Sequence, residues 1–191
     1  MNPRTKIAAV AVALLLGAGA AGAATASSPA AAPSDTAAPA ADGPREAAAL
    51  TGTAKLFRPA PADDDITFSF DAHLAAEHRG DPQAATGTFR YSHYAKGQGG
   101  YAVAEVDCLV TGGEVAVVTG VVVDTDVKEL RKKRVGVTVH DLGERDRLGY
   151  SWVGRDTNLK VPPCLSSAPF ETVKAGTGDF DVLPWEPPYQ Q

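Results

Sequence analysis

The sequence predicts an all-β protein: a single antiparallel β-sandwich or meander barrel of about seven or eight short strands, held by one disulfide. Three observations predict it. Apolar and polar residues alternate with a period of two through most of 50–185, turn residues separate these runs, and the chain has two cysteines. A segment of about 135 residues suffices for one hydrophobic core and is short for two. Sandwiches and barrels need the same alternation, so the pattern leaves both architectures open.

The N-terminal residues predict export. Arg4 and Lys6 precede a short apolar run, and Ala21-Gly22-Ala23 supplies the small-x-small pattern that signal peptidases cleave. The apolar run is too short to cross a hydrocarbon core of ~30 Å, so we expect no membrane span. A signal peptide at 1–23 predicts a secreted, extracellular protein that folds where disulfides persist.

The rest of the chain divides by composition. Residues 24–49 are rich in alanine and proline and predict a disordered linker, because they lack the large apolar side chains that offset chain entropy. The β domain is expected at 50–185, and residues 186–191 are expected to form a flexible tail. With 18 lysines and arginines against 23 aspartates and glutamates, the net charge is −5, which disfavours nucleic acid and anionic lipid as partners.

The first half of the domain predicts four strands in chain order. A first strand is expected over 51–58, where prolines follow. The segment 65–73 alternates most clearly, with apolar side chains on one face and polar side chains on the other, as in an antiparallel sheet with one wetted face. Segments 86–94 and 101–109 flank the glycine-rich run 96–100, which predicts a hairpin.

The second half begins with a valine-rich strand. Residues 114–124 are apolar on both faces, which predicts a strand that is covered on both sides. Residues 134–140 and 147–153 alternate again and predict two further strands. A last short run at 179–183 is expected to cap an edge of the sheet.

One short helical turn is predicted near 125–131. Asp126 followed three residues later by Glu129 resembles a capping box, and the lysines and arginines that follow suit the C-terminal end of a helix. The alternation of the flanking strands stops here, which also favours a turn of helix over a continued strand.

The two cysteines predict one disulfide, Cys108–Cys164, because only one pairing exists in an oxidising compartment. The bond would tie the irregular C-terminal segment to a strand, and the chain-entropy account assigns it about 4 kcal/mol. Cys108 shares its strand face with Ala104 and Val106, so its side chain is expected to point inward. A catalytic or metal-binding thiol is disfavoured, because no Cys-x-x-Cys pattern is present.

A search for catalytic motifs is mostly negative. The sequence lacks Gly-x-Ser-x-Gly, His-Glu-x-x-His and a phosphate-binding glycine loop that opens a helix, so no catalytic residue and no cofactor is predicted. Asp71 and His73 lie on the polar face of one strand, and His140 ends the polar face of another. If these strands are neighbours, the three side chains could bind a metal or act as a base. The alternative, which we favour, is that both imidazoles are exposed strand ends.

Three weaker features have ordinary structural interpretations. His93 shares a face with Phe89 and Tyr91, which predicts a buried imidazole that bonds a backbone carbonyl. The acidic groups at 63–65, 124–126 and 141–146 match no calcium-loop pattern and are typical of solvated turns. The aromatic residues that a carbohydrate platform would use are better explained as packing anchors; they are Tyr101, Trp152, Trp185 and Tyr189.

Several runs resemble a family of small secreted actinobacterial domains commonly labelled repetin. The resemblance covers essentially all of 50–185, and it implies an exported all-β fold with a disulfide but no reaction, substrate or functional residue. The runs include Gly52-Thr53-Ala54-Lys55-Leu56-Phe57-Arg58-Pro59, Asp65-Ile66-Thr67-Phe68-Ser69-Phe70-Asp71-Ala72-His73, Gly87-Thr88-Phe89-Arg90-Tyr91-Ser92-His93-Tyr94, Asp107-Cys108-Leu109-Val110-Thr111-Gly112 and Gly176-Thr177-Gly178-Asp179-Phe180.

Together these observations predict a secreted, non-enzymatic binding module. Its partner would be another secreted protein, the cell wall or a glycan. The first alternative is a carrier of a small apolar ligand inside a barrel, which is disfavoured because large inward aromatic side chains such as Phe68 and Phe89 would fill the interior. The second is a hydrolase that uses the region around Asp71, His73 and His140.

Overall fold

The computed structural model describes residues 46–151 and 160–186 and confirms the all-β prediction. These residues form one curled, half-barrel antiparallel sheet of nine strands in the order β8-β7-β6-β5-β4-β3-β2-β1-β9. Of the two architectures left open, the single sheet is the meander, because a sandwich requires two sheets. The strands are β1 (Glu46–Lys55), β2 (Asp64–Ala75), β3 (Thr86–Ala95), β4 (Gln98–Gly112), β5 (Val115–Thr125), β6 (Arg134–His140), β7 (Arg147–Ser151), β8 (Glu171–Thr172) and β9 (Asp179–Leu183).

The first strand begins earlier than the sequence predicts. Glu46 pairs with Ala75 and Ala48 pairs with Leu74, so residues 46–49 belong to β1 and not to the linker. Ala48 and Leu50 are fully buried. Alanine has little apolar surface, so the composition of 46–49 does not distinguish this part of the strand from a linker.

The inner face of the curled sheet carries the hydrophobic core. Its centre is a set of aromatic rings: Phe70 and Phe180 meet edge to face at 5.2 Å, and Phe68 lies 5.9 Å from the ring of Tyr91. Such contacts add to the stabilisation that comes from burying the rings. The alternation predicted for 65–73 is confirmed, because Ile66, Phe68, Phe70 and Ala72 are all buried.

The predicted disulfide is present, with 5.3 Å between the Cα atoms of Cys108 and Cys164, but Cys108 does not face the core. The register shifts between Val106 and Cys108, so that Leu109 pairs with the core residue Val118 and Cys108 pairs with Thr119. A β-bulge of this kind inserts one residue and exchanges the faces beyond it. The inward orientation predicted for Cys108 is therefore wrong.

An outer segment, residues 160–168, covers the outer face of the sheet over β5, β6 and β7. The amide of Cys164 donates to Thr119 Oγ1 at 3.2 Å, and the amide of Ser167 donates to Ser151 Oγ at 2.9 Å. As a result, residues 135–139 of β6 are buried on both faces. The sequence predicts burial on both faces for the valine strand 114–124. In the structure this burial is most complete in β6, whereas Val123 in β5 is 47% exposed.

Replacing Gly149 by alanine is expected to displace the outer segment and to cost about 1–3 kcal/mol, the usual cost of overpacking. A methyl group at this position would collide with the backbone carbonyl of Ala168. Gly112→Ala is the matched control, because the same methyl group would meet open space there. Urea unfolding of both variants checks the prediction, and equal stabilities would contradict it.

Carboxylates protect the free edge of β9. Asp141 Oδ2 accepts a hydrogen bond from the amide of Val182 at 3.2 Å, and Asp146 Oδ2 accepts one from the amide of Phe180 at 2.9 Å. Both acceptors belong to the β6–β7 connection. Amides that an edge strand would expose are thereby occupied, which removes a template for pairing with another chain.

The sheet also approaches closure near β8. Leu56 forms an isolated bridge with Val173, and the amide of Phe57 donates to the carbonyl of Thr172 at 2.8 Å. The end of β1 therefore meets the segment that pairs with β7, and the curled sheet nearly surrounds its core.

The helical turn predicted near 125–131 is a short 3₁₀ turn, Lys128–Leu130. The predicted capping role of Asp126 is wrong. Thr125 Oγ1 accepts from the amide of Val127 at 3.0 Å, whereas Asp126 Oδ1 accepts from the amide of Tyr101 at 2.8 Å. The carboxylate joins β4 to this turn instead of beginning a helix.

Candidate functional site

The structure separates the three residues of the predicted histidine cluster. His73 Nε2 lies 2.8 Å from Asp71 Oδ1 within β2. His140 lies on β6, which is separated from β2 by three strands in the sheet order, and its Nε2 is 3.8 Å from Glu114 Oε2. The strands are not neighbours, so the condition for a metal or base cluster is not met. Among the described residues, no group of three or more potential ligands could hold a metal ion.

His73 lies instead between two carboxylates at the start of β1. Its Nδ1 lies 2.7 Å from Glu46 Oε1. The hydrogen bond to Asp71 raises the pKa of His73 above 6.5, and the charge of Glu46 raises it further against the opposing effect of burial. When it is protonated, the ring adds an ionic contact between the beginning of β1 and β2.

The Asp71→Asn variant is expected to lower the pKa of His73 towards 6.5, because it removes the main group that favours the charged ring. In the wild type, the stability that this ring contributes is fully present below pH 6.5 and is lost as the pH rises through the higher folded pKa. An NMR titration of the ring protons measures both pKa values. Asp81→Asn, which removes a carboxylate not found in contact with His73, is the control, and an unchanged pKa in Asp71→Asn would contradict the prediction.

His93 is not the buried histidine that the sequence predicts. Its side chain is 59% exposed, and Nε2 lies 3.0 Å from Asp64 Oδ1 on β2. Phe89 and Tyr91 are buried on the same strand. The hydrophobic core ends before His93. The alternation of inward and outward side chains continues along β3 beyond the core, so an inward position there is not buried.

The aromatic residues considered for a carbohydrate platform do not come together. The ring of Tyr101 has the guanidinium carbon of Arg90 4.5 Å from its centroid, a cation–π contact. Trp185 packs where β1 begins and β4 ends, and its Nε1 donates to the carbonyl of Arg79 at 2.8 Å. Trp152 and Tyr189 lie outside the described residues.

A small socket opens at the end of the sheet where the β3–β4 and β5–β6 connections lie. Its volume is about 170 Å³. Burial raises the pKa of Tyr91 to about 12, so its hydroxyl stays protonated at neutral pH. The socket is mostly apolar, and its lining residues are Tyr91, His93, Gly100, Tyr101, Val127 and Leu130.

Four exposed cations lie beside this socket in the β5–β6 connection. We call residues 128–133 the basic turn; its cations are Lys128, Arg131, Lys132 and Lys133. None of the four forms a salt bridge with another described residue, whereas the neighbouring Arg134 contacts Asp107 Oδ2 at 2.6 Å. Sequence reasoning assigned these charges to a helix end. The feature of the sequence that could have identified this surface is the concentration of four cations within six residues of a chain whose net charge is −5.

Two other concavities are present in the described part. One, of about 190 Å³, is mostly apolar and has Trp185 and Leu74 in its lining. Another, of about 470 Å³, lies between β7 and the outer segment. The larger cavity has Tyr150, Lys160 and three serines among its described lining residues, with no carboxylate or imidazole among them.

Comparison with known proteins assigns no family: no family model, curated protein or solved structure matches the chain. Within the described ranges, there is no helix with both the length and the apolar character that a membrane span requires.

Proposed function

We propose that this protein is an exported, non-enzymatic module that binds a component of the cell envelope. One observation carries the proposal: a socket and four exposed cations lie side by side at one end of an ordered sheet. Leu130 belongs to both, because it lines the socket and lies within the basic turn. Export itself rests on the predicted signal peptide, and the resemblance to secreted actinobacterial domains remains a prediction.

The size of the socket favours a macromolecular ligand. Sites that enclose whole small molecules have volumes of roughly 300–1,000 Å³. At about 170 Å³, this socket can hold one group of a larger ligand, and the rest of the ligand must lie on the surface. The exposed cations supply that surface, since they remain available to an anionic partner.

The two alternatives receive less support. An apolar-ligand carrier needs space inside the curled sheet, but aromatic rings including Phe68, Phe89 and Phe180 are fully buried there. A hydrolase at the histidine cluster needs His140 beside His73, and the two lie on strands that do not pair. Another secreted protein as the partner is a weaker candidate, because, among the described residues, Tyr94 and Val123 are the only exposed large apolar side chains that lie near the socket end of their strands.

Co-sedimentation with isolated cell-envelope particles tests the proposal. We expect the purified protein to sediment with the particles and Leu130→Asp, which places a carboxylate in the socket, to reduce the bound fraction by about tenfold. Leu142→Asp is the matched control, because Leu142 is exposed in the β6–β7 connection at the opposite end of the sheet. Circular dichroism must show that both variants are folded.

Retention no greater than that of an unrelated acidic protein would overturn the proposal. Equal loss of binding in the Leu130→Asp and Leu142→Asp variants would also overturn it, because the socket would then have no special part in binding.

A further inference from the structure

We infer that the ligand is an anionic glycopolymer whose repeating charges bind the basic turn while one of its units enters the adjoining socket. This inference rests on the proposed function and adds the chemical class of the ligand and the residues that recognise it. The lysines Lys128, Lys132 and Lys133 with Arg131 would bind the charges, and Tyr91, Tyr101 and Leu130 would contact the unit in the socket.

The charge of the turn is segregated from that of the chain. Within the turn, its four cations have Glu129 as their one acidic neighbour, although the whole chain carries a net charge of −5. On the other side of the socket, Asp124 and Asp126 accept hydrogen bonds from the hydroxyl and the amide of Tyr101. At physiological ionic strength the Debye length is about 8 Å, so distant carboxylates contribute little to the potential at this surface. An anionic chain would therefore meet a positive surface at the turn itself, whereas the Tyr101 side of the socket carries the carboxylates of Asp124 and Asp126.

The backbone of the basic turn is ordered before any ligand arrives. The amide of Lys132 donates to the carbonyl of Val122, and the amide of Val122 donates to the carbonyl of Lys133, both at 2.9 Å. The guanidinium of Arg131 lies 3.4 Å from the carbonyl oxygens of Val123 and Thr125. Binding would thus fix flexible side chains but would not need to fold a loop, which reduces its entropic cost.

Lys132 occupies a position that would suit glycine. Its φ is 63°, in the left-handed region where a lysine is less favourable than glycine or asparagine. The chain nevertheless has a long cationic side chain at this point. Lys96 in the β3–β4 hairpin has the same left-handed backbone, so this conformation belongs to the tight turn, and the side chain of Lys132 adds charge to it.

The shape of the surface favours a glycopolymer over a nucleic acid. Proteins that bind single strands without sequence preference stack successive bases on several aromatic rings. Here the ring of Tyr101 already has Arg90 over one face. The exposed carboxylates of Asp65, Asp71 and Glu105 on the outer face of β2 and β4 would repel a polyanion that continued across the sheet. Contact is therefore limited to the turn and one socket.

The test measures binding of fluorescent poly(glycerol phosphate) to the purified protein by anisotropy at salt concentrations from about 50 to about 200 mM. We expect the logarithm of the binding constant to fall linearly with the logarithm of the salt concentration, with a slope of about −3 if four cations take part. The Lys132→Glu/Lys133→Glu variant is expected to bind about tenfold more weakly or worse at low salt.

Arg145→Glu/Arg147→Glu is the matched control. It makes the same change in net charge with exposed residues at the opposite end of the sheet, and its binding is expected to remain within about twofold of the wild type. Equal losses in the two charge-reversal variants would overturn the inference, because they would show a response to net charge alone. Neutral dextran should not bind.

One result separates this inference from the proposed function, and two others overturn the inference alone. If the protein sediments with envelope particles but does not bind poly(glycerol phosphate), the inference fails and the proposed function stands. Equal binding of a thymidine oligonucleotide would overturn the inference in favour of a general polyanion site. Binding that does not depend on salt would also overturn it, because the cations would then have no part in the affinity.

Discussion

Replacing both Cys108 and Cys164 by alanine is expected to lower the free energy of unfolding by about 4 kcal/mol. The two residues are 56 positions apart, and the bond restricts the unfolded chain over this long loop. In the folded state it holds the outer segment against Thr119. Urea unfolding followed by fluorescence measures the loss, and a loss below about 1 kcal/mol would contradict the loop-entropy account.

The same variant is expected to loosen the outer segment before the sheet unfolds. The amides of Cys164 and Ser167 donate to side chains of the sheet, and these hydrogen bonds depend on the position of the segment. In the alanine variant, hydrogen exchange should accelerate at Ser167 and at residue 164, while the core amide of Val137 in β6 retains its protection. Uniform acceleration would instead indicate that the disulfide stabilises the whole domain as one unit.

The parts of the fold that could be predicted have one face towards the core and one towards water. In β2, Phe68 and Phe70 alternate with Thr67 and Ser69, and each side chain lies on the face that the pattern indicates. The hairpin predicted from the glycine-rich run 96–100 is also confirmed. Lys96 and Gly97 have the positive φ values that a tight hairpin requires.

The orientation of Cys108 could not be predicted because a single inserted residue reverses the pattern. Asp107 lies in the bulge of β4, where its carboxylate accepts from Thr119 Oγ1 at 2.6 Å and contacts Arg134. These partners lie on β5 and β6, and their positions are known only once the strands are paired. The alternation of residues along one strand does not show which residues of neighbouring strands will be their partners.

The candidate site could be predicted only in its components. The cations of the basic turn are visible in the sequence, but their position beside Val127, Tyr91 and Tyr101 follows from the pairing of β3, β4 and β5. The predicted cluster of Asp71, His73 and His140 failed for the opposite reason, because the fold keeps these residues apart. His73 and His140 end similar polar faces, but the meander places three strands between them.

At acidic pH, Asp146→Ala is expected to lower the free energy of unfolding by about 3 kcal/mol, since it leaves two backbone donors without an acceptor. Asp146 is fully buried, and its two carboxyl oxygens accept from the amides of Leu142 and Phe180 at 2.6 and 2.9 Å. Asp181→Ala is the matched control, because Asp181 is an exposed residue of β9. Urea unfolding compares the two variants, and equal stabilities would show that the carboxylate is not needed to hold β9.

The contribution of Asp146 to the free energy of unfolding is expected to change with pH in the opposite direction to that of a typical paired carboxylate. Burial raises the pKa of Asp146 above 3.8, and the neighbouring carboxyl of Asp179 raises it further, although the amides of Leu142 and Phe180 favour the charged form. Its favourable contribution is therefore fully present below pH 3.8 and is lost as the pH rises through the folded pKa. For Asp65, whose pKa is lowered chiefly by its hydrogen bond with Lys55, the contribution is present above pH 3.8 and is lost as the pH falls.

Comparison of the wild type with Asp146→Asn separates these opposing effects, because the amide does not titrate and Asp65 is present in both proteins. The free energy of unfolding is measured in urea at several pH values from below 3.8 to neutrality. We expect the stability advantage of the wild type over Asp146→Asn to be largest at the lowest pH and to decrease as the pH rises. An advantage that grew with pH would mean that the ionised carboxylate is the favoured form. The amides of Leu142 and Phe180 would then outweigh the cost of burial.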